Sequence, residues 1–300
     1  MQLVRHPQSP LLYPNPLHEW EALNVFNPAV TRHAGLFHMH YRAQGVDYVS
    51  RIGYAVSADG LVWNRLGQPV LAPHNGPEDR RGIEDPRVTR LDGAFCMTYT
   101  AYGQDGYFPM IARSDNLITW QDVGPLEKAP NKDHVLFPEK IGGRYVILHR
   151  RSPNIWIGFS DDLVHWTDHR VIMEPRPDNA WDAVSIGSNG VPVRTAHGWL
   201  LFYHGYGEPS SETAFRPVYR QSVALLDLDD PTRVIHRPRT FIMEPQEPWE
   251  IRGDVAYALF SCANIVVGQM VYVYYAGADR LIGLATAPLA DVIAFARSGA

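Results

Sequence analysis

Cysteine is nearly absent. Cys96 and Cys262 are the only two in 300 residues. A disulfide framework and a Cys-rich zinc site are therefore excluded, and reduced thiols fit a cytosolic chain. Positive charge is also short. Twenty-seven Lys and Arg stand against 32 Asp and Glu, a formal net charge of −5. No basic surplus exists to hold a phosphate backbone, so a dedicated nucleic-acid binder is excluded. No apolar run approaches the roughly 20 residues that span a bilayer. Met1 to Pro16 carries Arg5, Pro7 and Pro10 and has no apolar centre, so neither a membrane span nor a secretory signal is expected. The thirteen histidines show no His-Glu-x-x-His spacing, and no G-x-S-x-G elbow, Walker loop or Rossmann fingerprint occurs. No metal and no organic cofactor is expected.

What the chain has is turns. Gly and Pro stand at 24 each, with 11% aromatics. Its apolar segments are short and bounded by turn residues, for example Leu36–Tyr41, Phe95–Ala101, Ile155–Phe159, Trp199–Tyr203 and Met270–Tyr275. Their richness in Val, Ile, Phe and Tyr predicts strands. One amphipathic helix is expected near Pro288–Arg297, with Leu289, Val292, Ile293 and Ala296 on one face. No Ser-, Gly- or Pro-rich linker divides the chain, so residues 1–300 are expected to form one domain.

An internal repeat organises these strands. Ser57-Ala-Asp-Gly-Leu-Val-Trp63 is followed by Ser114-Asp-Asn-Leu-Ile-Thr-Trp120 and Ser160-Asp-Asp-Leu-Val-His-Trp166. Ser with Asp or Asn closes a turn through side-chain bonds to backbone, and the Trp anchors the next strand. Weaker copies are Val223–Pro231 and Ile282–Leu289. The copies lie about 45 to 65 residues apart, enough for four strands each. Five such units predict an all-β fold, a five-bladed β-propeller, in which radial closure protects the sheet edges. A β-sandwich with coincidental Asp-Trp turns is the competing expectation.

Polar residues flanking the strands once per unit are the candidates for a central site. They are Asn27 and Arg42; Glu84, Asp85 and Tyr102; Asn131, Lys132, His149, Arg150 and Arg151; Asp182, Ser185 and His204; and Asp279. Acidic, basic and aromatic groups converging on one axis suit a polyol such as a sugar. Glu84-Asp85 has two readings: a turn paired with Arg81 or Arg87, or a general acid beside a glycosidic oxygen. His149, Arg150 and Arg151 form either a solvated strand end or, with His204, an anion pocket, since the planar Arg fork suits phosphate.

Several longer stretches carry a resemblance. They are Gly82-Ile-Glu-Asp-Pro-Arg87, Asn131-Lys-Asp-His-Val-Leu-Phe-Pro-Glu-Lys140, Leu148-His-Arg150, Asn154-Ile-Trp-Ile157, Gly198-Trp-Leu-Leu-Phe-Tyr-His-Gly205 and Tyr275-Ala-Gly-Ala-Asp279. In this order, from about Asn24 to Ala287, the chain resembles glycoside hydrolase family 130, the β-mannoside phosphorylases and β-mannosidases on five-bladed propellers. The resemblance implies that Asp85 is the proton donor, acting through the 3-hydroxyl of the bound mannose. It implies that inorganic phosphate, as co-substrate, attacks the anomeric carbon with inversion. Asn27, Arg42 and Asp279 match positions that hold the mannose, with Glu84 and Tyr102 beside them. Arg150 and His204 match positions that hold phosphate.

Two departures weaken that anion site. Ser185 stands where the phosphorylases carry a Lys, nineteen residues ahead of His204, and Pro130 stands where an Arg is expected. Each charged hydrogen bond lost costs on the order of 1.5–3 kcal/mol. Arg151 and Lys132 are the candidates to compensate. If the chain is a hydrolase instead, Glu208 or Asp182 is the candidate base. The leading expectation is a cytoplasmic inverting phosphorylase that releases mannose 1-phosphate from β-mannosides or short manno-oligosaccharides. An inverting β-mannosidase and a non-catalytic carbohydrate-binding propeller are the alternatives. Linkage, acceptor sugar and any homo-oligomer depend on loops such as Ala43–Val49, Gly103–Pro109 and Tyr206–Arg216.

Overall fold

Apolar runs too short for helices, each ending in residues that close a turn, fold here into antiparallel meanders. The computed structural model describes every residue except 75, 77, 78, 128, 180, 299 and 300. The fold is all-β, with few and short helices. The first meander is Asn24–His33, Leu36–Gln44 and Ser50–Ser57, with the short Asn64–Arg65 at its edge. The second is Gly82–Leu91, Ala94–Gly103, Gly106–Ser114 and Gln121–Pro125. One parallel pairing, Ser50 with Gly82, joins these two into an eight-stranded sheet. The third is Lys132–Leu136, Tyr145–Arg151, Asn154–Ser160 and Trp166–Met173. The fourth is Ser185–Ser188, Gly198–Tyr206, Arg220–Leu226 and Val234–His236. The fifth has three strands from the chain's end, Leu259–Val267, Met270–Gly277 and Leu281–Pro288. Its outer position is filled by the N-terminal Val4–Arg5, which pairs Val4 with Thr286 and Arg5 with Ala285. Among the described residues no sheet closes into a barrel.

The three Ser-x-Asp/Asn turns are superimposable in chemistry. Ser57 Oγ accepts from the N–H groups of Asp59 and Gly60, Ser114 Oγ from Asn116 and Leu117, and Ser160 Oγ from Asp162 and Leu163. The Asp or Asn oxygen then accepts the next two N–H groups. Gly60, Leu117 and Leu163 all take left-handed φ, at 79°, 66° and 67°. Each turn docks on a neighbour. The Tyr274 hydroxyl donates to Gly60 O (3.0 Å) while Trp63 meets the Tyr274 ring edge-on. His40 bonds Leu117 O (2.7 Å) while Trp120 meets the His40 ring edge-on.

Burial follows the same order. Five apolar cores lie between successive meanders: first with second around Ile52 and Met97, second with third around Ile111 and Ile147, third with fourth around Leu148 and Trp199, fourth with fifth around Phe202 and Val273. The last core returns from the fifth meander to the first, packing Tyr274 and Leu284 against Met39 and Tyr41. The expected helix forms over Leu289–Arg297 and buries Val292 and Ala296 in the fourth–fifth core. Cys96 and Cys262 are free and buried.

Four of the five meanders carry a bulge on their first strand. The register slips between Phe26 and Ala29, Glu84 and Arg87, Lys132 and Val135, and Phe260 and Ala263. A bulge turns a side chain out of the sheet's alternation and commonly serves a site. In three of these gaps Asn27, Asp85 and Asp133 hold φ of 46°, 54° and 57°. Left-handed backbone at non-glycine residues is uncommon and tolerated where short polar side chains stand.

Candidate active site

The bulges bring polar groups from different meanders to one pocket of about 140 Å³. Six of the residues expected from sequence line it: Asn27, Arg42, Asp85, Lys132, Arg150 and Asp279. Asp133, Tyr219, Val255, Ala258 and Phe260 complete the wall. A larger cleft of about 440 Å³ lies against the second meander, walled by Tyr99, Phe108, Asp122 and Glu127. Among the described residues, none of the expected site residues and no Lys or Arg lines it. The smaller pocket is where charges of both signs converge.

Asp85 is buried and hemmed in by donors. Its Oδ1 accepts from Asn27 Nδ2 (2.7 Å) and Arg42 Nη1 (3.1 Å), and Lys132 Nζ stands 3.8 Å from Oδ2. Arg87 Nη1 donates to its backbone carbonyl (3.1 Å). Burial alone would raise its pKa, but Arg42, Lys132 and Arg87, with the Asn27 bond, outweigh it and hold the carboxyl well below its ordinary range. Glu84 sits behind, accepting from Arg42 Nη2 (2.7 Å) and Lys132 Nζ (2.8 Å). It therefore orients two cations and does not itself line the pocket. Asp279 has the opposite setting. Burial pushes its carboxyl up to about 7, with Arg42 working against the shift and the Asp85 charge adding to it.

The other side of the pocket is organised around Asp133. Its Oδ1 accepts from Arg87 Nη2 (3.2 Å), and its Oδ2 lies 3.0 Å from Arg150 Nε and 3.6 Å from His204 Nε2. Burial opposes the Asp133 charge, but Arg150, His204 and Arg87 keep its pKa low. His204 Nδ1 donates to Asn189 Oδ1 (2.8 Å), whose amide nitrogen donates to Gln221 (3.2 Å). Burial holds His204 at about 3, so the ring is neutral near pH 7. It stands behind Asp133, off the pocket wall. Gly187 makes this possible: a Cβ there would lie 2.2 Å from Asp133 Oδ2 and 2.6 Å from His204.

The other expected residues lie elsewhere. Arg151 pairs with Glu127 and covers the Trp156 ring at 4.9 Å. Tyr102 lies under Arg81, whose Nη1 donates to its hydroxyl (3.3 Å). Asp182 is fully buried between Arg176 Nη2 and Arg237 Nη2, both 2.7 Å from Oδ2. That pairing makes Asp182 a fastener between the segment before Ser185–Ser188 and the segment after Val234–His236, not a free base. Glu208 is exposed in the segment after Gly198–Tyr206 and lines no part of the pocket. Ser185 is buried, paired across the sheet with Tyr206. Sequence reasoning quoted Asp133 within its motif but assigned it no place in the site. Its signal was its position, next to Lys132 at the start of a unit as Asp85 is. Tyr219, Val255 and Phe260 carried no local signal.

Comparison with known proteins gives a consistent picture. The sequence profile described as beta-1,4-mannooligosaccharide phosphorylase, of glycoside hydrolase family 130, matches residues 3–298. A 1,2-beta-oligomannan phosphorylase of Thermoanaerobacter sp. (strain X514) is 44% identical, over 97% of this chain and 99% of that one. A beta-1,2-mannobiose phosphorylase of the same organism is 42% identical, over 95% and 96%. Among solved structures, the beta-1,2-mannobiose phosphorylase of Listeria innocua in complex with beta-1,2-mannobiose aligns with a TM-score of 0.90 at 26% identity, covering 99% of this chain and all of that one.

Proposed function

The chain belongs to glycoside hydrolase family 130, and from that membership and the pocket's geometry we propose that it is an inverting phosphorylase of β-1,2-linked mannosides. The reaction we assign moves a terminal mannosyl group to inorganic phosphate and releases mannose 1-phosphate. The observation that carries this reading is the pocket itself. It sets Asp85, beside Asn27 and Arg42, in one small cavity with Arg150 and Lys132. Carboxyl, amide and guanidinium groups grip the hydroxyls of a mannosyl ring. Arg150 and Lys132 supply fixed positive charge for an anionic nucleophile. The β-1,2 linkage is supported by the names of the two relatives above 40% identity.

Ser185 favours hydrolysis as the second reading. Against it, Asp182 is locked by two guanidiniums and Glu208 stands off the pocket, so neither is placed to activate water. A sugar phosphate is useful only where it is retained, so we place the proposed reaction in the cytoplasm. We further propose that the five meanders are blades of a single propeller, residues 1–300 forming one domain. The cyclic order of the five cores and the pairing of Val4–Arg5 with the last strand support that arrangement.

The nucleophile site is tested by Arg150→Ala. Steady-state kinetics should show the KM for phosphate rising tenfold or more, about 1.5–3 kcal/mol for one charged hydrogen bond, with a much smaller change for the mannoside. Equal changes in both constants would remove Arg150 from the phosphate site.

A further inference from the structure

Two carboxylates hold the cations of the pocket, from different elements. Glu84 stands behind Arg42 and Lys132 and accepts from both. Among the described residues Arg150 pairs with one carboxylate, that of Asp133. Strand register makes these two neighbours. Lys132 lies opposite Arg150 across the third meander, and the bulge that follows Lys132 brings Asp133 against the same guanidinium. Asp133 Oδ2 stands 3.0 Å from Arg150 Nε and, among the described residues, accepts no hydrogen bond. Both side chains line the cavity. A buried carboxylate oxygen left to a single guanidinium is uncommon, since buried polar atoms are nearly always bonded.

The placement of Asp133 is set by other meanders. Arg87 Nη2 donates to Oδ1 (3.2 Å), and Ser188 Oγ donates to the Asp133 backbone carbonyl (2.6 Å). Arg87 is anchored in turn on the carbonyls of Asp85 (3.1 Å), Ser188 (3.1 Å) and Asn189 (2.9 Å). Gly187 leaves the space that Oδ2 occupies. The second and fourth meanders thus fix a carboxylate that belongs to the third, at a residue whose φ is 57°. Strained backbone of this kind persists where the surroundings over-determine it, and it clusters at functional sites.

We propose that Asp133 is the positioning residue for the nucleophile: it holds the Arg150 guanidinium at the cavity wall in the orientation that receives phosphate. This rests on the phosphorylase reading and deepens it. Asp133 acts through Arg150, and Asp85 keeps its part in proton transfer. A carboxylate beside an anion site also repels the anion. An ordered guanidinium offsets that repulsion, because the rotamer freedom of a long side chain is given up before phosphate arrives. The two effects differ in sign. If repulsion dominated, neutralising Asp133 would tighten phosphate binding; if positioning dominates, the same change weakens it.

The test is steady-state kinetics of the full chain on β-1,2-mannobiose and phosphate, for Asp133→Asn, Gly187→Ala, Arg150→Ala and the double variant of Asp133→Asn with Arg150→Ala. Asp133→Asn keeps the shape, and Arg87 retains its three carbonyls, so circular dichroism should be unchanged. The KM for phosphate should rise roughly tenfold, within the range for a misplaced group, and the KM for the mannoside should change far less. Gly187→Ala keeps every charge but sets a Cβ 2.2 Å from Oδ2 and 2.6 Å from His204. It displaces Asp133 and should act in the same direction, so it carries the test should Asp133→Asn fail to fold. With Arg150 already gone, Asp133→Asn should add little, because it acts through that side chain. The proposal is overturned if Asp133→Asn lowers the phosphate KM or leaves it unchanged, if both KM values rise together, or if the two losses multiply in the double variant. Nitrogen NMR relaxation at Arg150 Nε, assigned by its loss in Arg150→Lys, should report a rigid guanidinium in wild type and a mobile one in Asp133→Asn. Equal mobility overturns the proposal as well. That measurement needs no turnover, so it still decides the role of Asp133 should wild type form no mannose 1-phosphate, the outcome in which the phosphorylase reading itself fails.

Discussion

Asp85 is the residue on which the proposed chemistry turns, and its environment narrows what it can be. Three cations and an amide donor surround a carboxylate that lies almost wholly out of water. An Asp85→Asn protein keeps the shape but loses the charge that Arg42 and Lys132 are arranged around. We expect turnover to fall by roughly 10²–10⁴-fold, the range for a group acting in proton transfer, with circular dichroism unchanged. Wild-type turnover in that variant would reduce Asp85 to a turn residue. The residues that sequence singled out divide along a physical line. Asn27, Asp85, Lys132 and Arg150 sit in or beside the bulged first strands of their meanders, where identity and position in the unit together mark a candidate. Arg151 follows Arg150 directly, so strand alternation sends it to the other face, to Glu127 and Trp156. Sequence adjacency could not tell the two apart.

At the scale of elements, the turns were legible because they are local. Ser114, Asn116 and Leu117 satisfy one another within four residues, and nothing distant is needed to read them. The bulges were not legible. Asn27-Pro28 and Asp85-Pro86 hint at an interruption, but which face the side chain takes depends on register with the partner strand. Nor could the chain order show that Tyr219, from the segment ahead of Arg220–Leu226, reaches the same cavity as Asn27. The turn reading makes a prediction. Ser114→Ala removes the acceptor for two backbone N–H groups, that of Leu117 being buried. Denaturant unfolding should show a loss of about 1–3 kcal/mol, and Ser160→Ala a similar one. No change in either would mean that the hydroxyl contributes nothing to closing the turn.

For the whole molecule, the ends of the chain matter as much as its middle. Arg5, beside the N-terminal strand pairing, donates from Nε and Nη2 to Glu250 at 2.7 Å each, and Tyr275 donates to the same buried carboxylate. Removing Arg5 leaves Glu250 buried without its cation. Arg5→Ala should cost roughly 3–5 kcal/mol of stability, read as a lower midpoint in thermal or denaturant unfolding. An unchanged midpoint would show that the N-terminal strand is decoration. If the ring of cores is what holds the pocket, Arg5→Ala should also lower activity at temperatures near its midpoint while leaving KM for phosphate unchanged well below it.

The account stands most directly on the fate of the mannosyl group. Purified protein incubated with β-1,2-mannobiose and inorganic phosphate should form α-mannose 1-phosphate and one equivalent of free mannose, followed by NMR of the anomeric and phosphorus signals. Without phosphate the disaccharide should persist. Turnover unchanged by removing phosphate, with two equivalents of free mannose and no sugar phosphate, would contradict the phosphorylase and make the protein a hydrolase.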